Sequence, residues 1–318
     1  KSTVIPGTTR EVILPILQRV SGKKVGKDFG LVTNPEFLRE TMAVHDTLYP
    51  HVIVLGGDNN SFLKKVKRFY YNLHHNVPVV LTNYGTAEII KYANNSFLAT
   101  KISFINQIAS ICEKIPDADI DDVSRTIGLD PRIGKLFLDA GPGYGGSCLP
   151  KDVKAIIDFS TKTGVNPTLL TAVEKINKQQ IGSIIELIKQ NIGKINGEKI
   201  AVLGIAFKPE TDDIRDSASV ELVNRLVKLG GKISIHDPKA IENARKIFRD
   251  KVKYIKSVSA AVKDCNCAVI MTAWNEYKKI NNESIKHMNT KFIIDSKRIV
   301  SNKNLNAKYF AIGLGQKL

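Results

Sequence analysis

Apolar residues over the first 83 positions follow two alternating patterns, which predict strands and helices in turn. Short apolar runs of the kind that form buried strands occur four times, and one longer stretch repeats its apolar residues at helical spacing. The predicted strands cover residues 2–5, 30–33, 51–55 and 77–81, and the predicted helix covers residues 59–74. This order is typical of one part of an open α/β layer.

The middle of the chain is predicted to be helical. Residues 86–113 carry apolar side chains at every third or fourth position, which indicates one long helix. Further helices are predicted at residues 120–127, 153–163 and 167–192. Because a long helix between two α/β layers commonly forms a dimer seam, we expect a homodimer that associates through it.

The α/β pattern restarts after a linker at residues 191–198. Apolar runs predict strands at residues 199–204, 232–236, 267–272 and 291–295, with helical stretches between them. Strands that alternate with helices form parallel sheets, which bind ligands outside the carboxyl ends of their strands. We predict an α/β chain with an open layer at residues 1–83, a central helical domain at 84–192 and a Rossmann-like parallel-sheet domain at 193–318.

Composition narrows the class of protein. The chain has 318 residues, of which 43% are hydrophobic and 25% charged, as in ordinary globular domains. No apolar run approaches the roughly 20 residues that span a bilayer, and no signal peptide opens the sequence. The four cysteines fit neither a disulfide framework nor a zinc site, so we expect no metal and a cytoplasmic location.

The net charge of +16 leaves several partners open. A basic excess can indicate nucleic acid, an anionic membrane surface or small anionic ligands. The Lys and Arg residues are scattered, and the sequence has no RNA-binding aromatic motif, zinc finger or basic zipper. We therefore expect neither a nucleic-acid nor a membrane partner, and a diphosphate ligand would use only a few of these charges.

Two segments of the chain place polar residues four apart, which brings them together on one helix face. In the first, Asn34 suits an N-cap and Pro35 the first helical position, so Glu36 and Glu40 would be neighbours. Acidic residues also favour helix N-termini for structural reasons alone. In the second, Lys91 and Asn95 interrupt an apolar helix and could bind a developing oxyanion, but the pattern taken alone favours a solvent-exposed polar surface.

The segment 141–152, Gly-Pro-Gly-Tyr-Gly-Gly-Ser-Cys-Leu-Pro-Lys-Asp, is more specific. Its four glycines permit backbone shapes that other residues avoid, and Pro150 suits the first turn of a following helix. Cys148 would then lie at that helix N-terminus, where the dipole favours a thiolate, with Asp152 one turn further on. A structural loop with an inert cysteine is the alternative.

Five segments combine these patterns in one order along the chain. They are Lys1-Ser-Thr-Val4, Asn34-Pro-Glu-Phe-Leu38, Lys91-x-x-x-Asn95, Gly145-Gly-Ser-Cys-Leu-Pro-Lys-Asp152 and Gly204-Ile-Ala-Phe-Lys-Pro-Glu-Thr-Asp-Asp-Ile-Arg-Asp-Ser217. Together they resemble the UDP-glucose/GDP-mannose dehydrogenase family over essentially the whole chain. Ser147 favours the UDP-glucose branch, since some members that act on other sugars carry His there.

The resemblance implies NAD-dependent, four-electron oxidation of UDP-glucose to UDP-glucuronate through a thiohemiacetal and a thioester. It implies that Cys148 is the nucleophile and that Lys91 and Asn95 stabilise the oxyanions. It also implies that Asp152 and Thr3 hold the catalytic water and that Glu36 assists thioester hydrolysis.

The same resemblance implies the ligand contacts. The expected UDP-glucose contacts are Phe37, Leu38, Glu40, Arg132, Phe137, Leu138, Tyr144, Gly145, Lys208 and Arg298. Arg132 resembles an arginine that reaches the partner subunit's site. The expected NAD contacts are Glu40, Lys151 and Arg215.

The resemblance also places the start of the chain inside the family's NAD-binding domain, so residues 1–83 are expected to be its C-terminal part. The strand, Gly-x-Gly-x-x-Gly loop and helix that open such a domain are not found in these 318 residues. Two other interpretations stay open. One is a sibling enzyme for a UDP-N-acetylhexosamine or GDP-mannose, and the other is a UDP-sugar-binding fragment without turnover.

Overall fold

The computed structural model describes residues 1–301 and 303–315, which fall into two compact units. Unit 1 comprises Lys1–Phe97 and Asp152–Pro167, and unit 2 comprises Leu98–Lys151 and the chain from Thr168 onward. The chain crosses between them inside two helices, α4 (Tyr84–Cys112) and α6 (Leu149–Lys162). Within the described part of the chain, no helix combines the length and apolar character needed to cross a bilayer.

Unit 1 opens with helices and contains one parallel strand pair. A π-helical turn, Thr9–Ile13, continues into α1 (Leu14–Ser21), and α2 (Ala43–Leu48) follows a 3-10 turn at Glu40–Met42. Strand β1 (Ile53–Gly56) pairs in parallel with β2 (Val79–Thr82), and α3 (Asn60–Leu73) connects them. A small core of Ile53, Leu55 and Leu63 packs α3 on the strands.

Three predictions in unit 1 are wrong. Residues 2–5 form no strand, and residues 30–33 contribute only one bridge, between Thr33 and Gly56. Residues 34–38 are irregular rather than helical, because the Asn34 side chain is used elsewhere. Its amide donates to the Val54 carbonyl at 2.8 Å and accepts from the Tyr70 hydroxyl, so it cannot cap a helix. Glu36 and Glu40 therefore do not share a helix face.

The predicted central helices are confirmed, with α4 as the longest element at 29 residues. The others in this part of the chain are α5 (Ile120–Ile127), α6, and α7 (Thr168–Ile192). In unit 2, Ile105 and Ala109 of α4 pack with Ile120 of α5 and with Leu138 in a buried cluster.

The predicted parallel sheet of unit 2 is also confirmed. Its strands are β3 (Lys199–Leu203), β4 (Lys232–His236), β5 (Lys253–Tyr254), β6 (Cys267–Ile270), β7 (Phe292–Asp295) and β8 (Lys308–Ala311). The intervening helices are α8 (Ala218–Lys228), α9 (Ile241–Phe248) and α10 (Val258–Val262). The order β5-β4-β3-β6-β7-β8, parallel throughout, is that of a doubly wound Rossmann-like sheet, so its switch point lies between β3 and β6.

Candidate functional site

The part of α4 that belongs to unit 1 carries several buried polar side chains, among them Lys91 and Asn95. These two are only 4% and 5% exposed, so the alternative that they are polar because they face solvent does not hold. Residues four apart on a helix lie on one face, as the sequence predicted. Burying a charged or an amide group costs free energy unless the group is paired. Lys91 and Asn95 therefore need such partners.

Lys91 faces the irregular segment that follows Asn34. Its Nζ lies 3.9 Å from a Glu36 carboxylate oxygen and 5.3 Å from the centroid of the Phe37 ring. The Glu36 carboxylate also accepts from the backbone N–H of Leu38 at 2.6 Å. The segment thus brings Glu36 and Phe37 to the lysine without a helix, by means of backbone that the sequence pattern did not reveal.

Asn95 is fixed by a buried carboxylate. Its Nδ2 donates to Oδ2 of Asp152 at 2.6 Å, and Asp152 is 1% exposed. Its Oδ1 accepts from the side chain of Asn94 at 3.2 Å. Asp152 lies on the first turn of α6, so this hydrogen bond ties the start of α6 to α4 within unit 1.

Thr3 contributes a hydroxyl that is not satisfied by protein. Its Oγ1 is buried and has no hydrogen-bond partner among the described residues. Buried polar atoms are nearly always paired, with protein or with ordered water. The Thr3 hydroxyl therefore has the character of a group that holds a water or a ligand atom.

In unit 2, the glycine-rich loop is shaped by backbone that tolerates no side chain. Gly146 has a positive φ of 82°, and a Cβ there would lie 2.6 Å from the Phe207 ring. A Cβ on Gly145 would lie 2.4 Å from the carbonyl oxygen of Asp216. The Gly146 N–H donates to the Arg215 carbonyl at 3.1 Å, so the loop packs directly on the segment after β3.

Two asparagines that the sequence reasoning missed hold this loop. Asn177 of α7 accepts from the Tyr144 N–H at 2.7 Å and donates to the Tyr144 carbonyl at 3.1 Å. Asn106 of α4 accepts from the Gly141 N–H at 2.8 Å. Neither asparagine gives a local signal, because each lies among other polar residues on a long helix and its partner is more than 30 residues away in sequence.

Cys148 ends the loop directly before Leu149, the first residue of α6, as predicted. Its side chain is exposed, and its Sγ lies 3.7 Å from the Ser147 hydroxyl. The other three cysteines are buried, and burial raises the pKa of Cys112 and Cys267 and raises that of Cys265 to about 11. Cys148 is thus the one exposed cysteine of the four, and its role as a nucleophile stays a prediction.

The remaining predicted contacts lie at different depths. Tyr144 is buried, its hydroxyl has no partner among the described residues, and burial raises its pKa. Leu138 is buried. Phe137, the residue before it, has a left-handed backbone conformation with a φ of 65°. The Lys208 ammonium lies 5.3 Å from the Phe207 ring centroid, on the loop that packs against Gly146.

The predicted arginines differ in how they are held. Arg132 is exposed and pairs with Asp130 at 2.6 Å, and the mostly exposed Arg215 pairs with Asp213 at 2.7 Å. Lys151 ends the first segment of unit 2, and Glu40 opens the 3-10 turn of unit 1.

Arg298 is engaged more fully than the other arginines. It donates to the carboxylates of Asp119 and Asp121 and, at 3.0 Å, to the Ile312 carbonyl. Its contact with a ligand stays a prediction, and binding one would require these contacts to be exchanged.

The doubly wound parallel sheet defines the class, a nucleotide-binding α/β protein, and an exposed cysteine directly precedes one of its helices. Comparison with known proteins gives the family. Residues 1–74 match the NAD binding domain of the UDP-glucose/GDP-mannose dehydrogenase family, residues 85–179 its central domain and residues 201–302 its UDP binding domain. The chain belongs to this family.

Individual relatives agree. The chain is 42% identical over 306 residues to UDP-glucose 6-dehydrogenase AglM of Haloferax volcanii, covering 95% of this chain and 70% of the relative. It is 39% identical over 317 residues to UDP-glucose 6-dehydrogenase TuaD of Bacillus subtilis, covering 98% and 68%. A UDP-glucose dehydrogenase structure from Pyrobaculum islandicum matches with a TM-score of 0.87 and 33% identity, covering 99% of this chain and 70% of that one.

Proposed function

We propose that this protein oxidises UDP-glucose to UDP-glucuronate with NAD, in two oxidation steps on the same carbon. The observation that carries the proposal is the exposed Cys148 thiol, which lies at the N-terminus of α6, the helix whose Asp152 pairs with Asn95. Support comes from relatives about 40% identical that are named UDP-glucose 6-dehydrogenases.

The atoms balance through a covalent intermediate on the cysteine. The alcohol first loses a proton and a hydride and becomes an aldehyde. The Cys148 sulfur then adds to the aldehyde carbon, and loss of a second hydride leaves a thioester. Water breaks the C–S bond and releases the carboxylate, so –CH2OH and one water give –COO⁻, two hydrides and three protons. A thioester forms and hydrolyses readily, which divides one difficult oxidation into easier steps.

The residues of unit 1 have roles that match their contacts. The buried ammonium of Lys91 and the amide of Asn95 stabilise the alkoxide and the tetrahedral oxyanion. Asp152 and Thr3 hold the water that attacks the thioester, consistent with the unsatisfied Thr3 hydroxyl. Glu36, whose carboxylate lies 3.9 Å from the Lys91 ammonium, removes a proton from that water.

The nucleotide-sugar contacts in this proposal are those that the family resemblance implies. In sequence order they are Phe37, Leu38, Glu40, Phe137, Leu138, Tyr144, Gly145, Lys208 and Arg298, and Arg132 reaches the site of the partner subunit.

Unit 1 has features that fit part of an NAD site. The parallel pair β1–β2 has Gly56 and Thr82 at its carboxyl edge, where open α/β sheets bind nucleotides. Two NAD+ molecules, bound in turn, would accept one hydride each. Glu40, Lys151 and Arg215 would contact the bound NAD+, with Lys151 and Arg215 supplying positive charge for its phosphates.

We also propose that the protein is a cytoplasmic homodimer that associates through α4. Phe97, Phe104 and Ile111 are exposed and spaced seven apart on this helix, so they form one apolar stripe. The exposed Arg132 would reach the second copy. Light scattering after chromatography should give a dimer for the wild type and a monomer for Phe104→Asp.

The test of the function is NADH formation with UDP-glucose in the full-length protein. We expect two NADH per UDP-glucose consumed by the wild type and at most one in Cys148→Ser, because the first hydride transfer precedes attack by the thiol. Full activity in Cys148→Ser would refute the mechanism. UDP binding by calorimetry without any NADH formation would instead support the non-catalytic fragment.

A sibling substrate is the second candidate. The fold also matches a UDP-D-ManNAc dehydrogenase from Pyrococcus horikoshii, with a TM-score of 0.85 and 26% identity. A panel of UDP-glucose, UDP-N-acetylhexosamines and GDP-mannose at equal concentration separates the two, and we expect the highest kcat/KM for UDP-glucose.

A further inference from the structure

One face of α4 in unit 1 carries four buried polar residues, Tyr84, Glu88, Lys91 and Asn95. They recur at the spacing that places residues on one side of a helix. Tyr84 donates to the Leu31 carbonyl at 3.0 Å, so this face fixes surrounding backbone as well as holding the proposed catalytic groups. The proposed mechanism gives no role to Tyr84 or Glu88, and of these two Glu88 carries a buried carboxylate.

Glu88 binds the start of the chain through two backbone hydrogen bonds. One carboxylate oxygen accepts from the Gly7 N–H at 2.7 Å and the other from the Thr9 N–H at 2.8 Å. Thr9 is the first residue of the π-helical turn, and Thr8 at its N-cap makes no side-chain capping bond. Free N–H groups at a helix N-terminus need acceptors and favour negative charge. Glu88 meets this need from α4, about 80 residues further along the chain.

The segment that Glu88 holds leads back to Thr3. Thr3 precedes Gly7 by four positions, and the Thr3 hydroxyl is buried without a partner among the described residues. Along α4, Glu88 precedes Lys91 by three residues, which is less than one helical turn. One carboxylate thus sets where the Thr3 segment runs relative to Lys91 and Asn95.

We infer that Glu88 is a positioning residue for thioester hydrolysis, holding the segment that carries Thr3 so that Thr3 and Asp152 can share a water. This inference rests on the proposed function. Glu88 touches none of the reacting atoms and acts through the backbone at Gly7 and Thr9. Its loss should therefore slow hydrolysis more than formation of the covalent intermediate, which depends on Cys148 and Lys91.

The chemistry of the side chain suggests the variants. In Glu88→Gln, an NH2 group replaces one of the two carboxylate oxygens. This NH2 group and the backbone N–H that it faces are both donors, so one of the two hydrogen bonds is lost. Glu88→Asp keeps the charge but is shorter by one C–C bond, about 1.5 Å, so it reaches one N–H well and the other poorly. Glu113→Gln is a matched control, because Glu113 follows α4 and also accepts from a backbone N–H, that of Gly313 at 2.9 Å.

The experiment is a rapid-quench reaction of the full-length protein with UDP-glucose and NAD, followed by intact-mass measurement of the Cys148 adduct and by KM and kcat. We expect Glu88→Gln to form the adduct at nearly the wild-type rate and to hydrolyse it about tenfold more slowly or worse, since a small misplacement of catalytic groups costs up to about 100-fold. The adduct should accumulate, and kcat and KM should fall together, so that kcat/KM stays within about twofold of the wild-type value. Glu88→Asp should lie between.

Other outcomes distinguish failure of the Glu88 inference from failure of the proposed function. If Glu88→Gln and Glu88→Asp hydrolyse the adduct like Glu113→Gln and the wild type, the inference is overturned, even if both variants melt at lower temperature. Equal slowing of adduct formation and hydrolysis overturns it too. If Glu88→Gln does not fold, Glu88→Asp decides. A wild type that forms neither NADH nor adduct overturns the proposed function, and this inference with it.

Discussion

The α4 face and the glycine-rich loop place their reactive groups in opposite ways. On α4, Lys91 and Asn95 are buried and each is fixed by side-chain contacts, to Glu36 and to Asp152. In the loop, Cys148 is exposed, and what is fixed is the backbone leading to it. A rigid helix needs only the right side chain at the right position, whereas a loop needs its backbone held from outside.

The difference predicts where each region is sensitive to substitution. Changes on α4 should remove chemistry and leave the fold nearly intact, since the helix itself does not depend on the polar groups. Changes in the loop should alter backbone, so stability and activity should fall together. The following substitutions test this contrast, from the largest expected effect to the smallest.

Lys91→Ala should have the largest effect on activity. Loss of one oxyanion-stabilising group costs on the order of 100- to 1,000-fold in kcat, and we expect the upper end because the ammonium is buried. Lys101→Ala, a lysine of the same helix that donates to the carbonyls of Ile133 and Gly134, should cost little activity. Steady-state NADH kinetics measure both, and equal losses would remove the distinction between the two lysines.

Gly146→Ala should come next and should affect both properties. Its φ of 82° and the Phe207 ring 2.6 Å from a new Cβ force the loop to shift, which costs roughly 1–3 kcal/mol of unfolding free energy and about 100-fold in activity. Gly182→Ala is the control, since nothing lies within 4 Å of its Cβ position on α7, and it should stabilise slightly. Unfolding curves and NADH kinetics provide the comparison. Wild-type values for Gly146→Ala would show that the loop is adaptable.

Asn177→Ala tests the clamp on the loop with a smaller expected effect. It removes both hydrogen bonds to the Tyr144 backbone, so we expect a loss of about 1–3 kcal/mol in the free energy of unfolding. The rate at which iodoacetamide labels Cys148 should also change. Asn191→Ala, which loses one bond to the Leu187 carbonyl on the same helix, should be milder and leave labelling unchanged. A larger loss of stability or a larger change in labelling for Asn191→Ala than for Asn177→Ala would contradict the role of Asn177 in holding the loop.

The smallest effect concerns the buried thiol of Cys265. Burial raises its pKa to about 11, above the roughly 8.5 of an unfolded cysteine. The unfolded state therefore loses this proton first, and the thiol's contribution to stability is complete below about pH 8.5 and is lost as pH rises through about 11. Denaturant titrations should show a decline over this range that is shallower in Cys265→Ala. An identical slope in the two proteins would refute the assignment.

Much of the fold followed from local pattern, because α4, α7 and the strands of unit 2 each carry a periodicity of their own. The secondary-structure predictions that were wrong concern residues whose contacts lie far away in the sequence. The sequence predicted that Asn34 caps a helix, but its side chain donates a hydrogen bond to the Val54 carbonyl. Strand β5 was not predicted, because two residues are too few to form an apolar run. For the site, Cys148 and the Lys91–Asn95 spacing were visible in sequence. The clamps by Asn106 and Asn177, and the ion pairs between Arg298 and Asp119, join residues far apart in the chain, and no local pattern encodes them.

The most direct test of the account is covalent capture of the intermediate on Cys148. Asp152→Asn should slow hydrolysis of the thioester while leaving the thiol in place. After a rapid quench with UDP-glucose and NAD, we predict an adduct that carries the oxidised nucleotide sugar and maps to Cys148. The adduct should be absent in the double variant that combines Asp152→Asn with Cys148→Ser. NADH formation without any adduct, or an adduct that survives Cys148→Ser, would contradict the account.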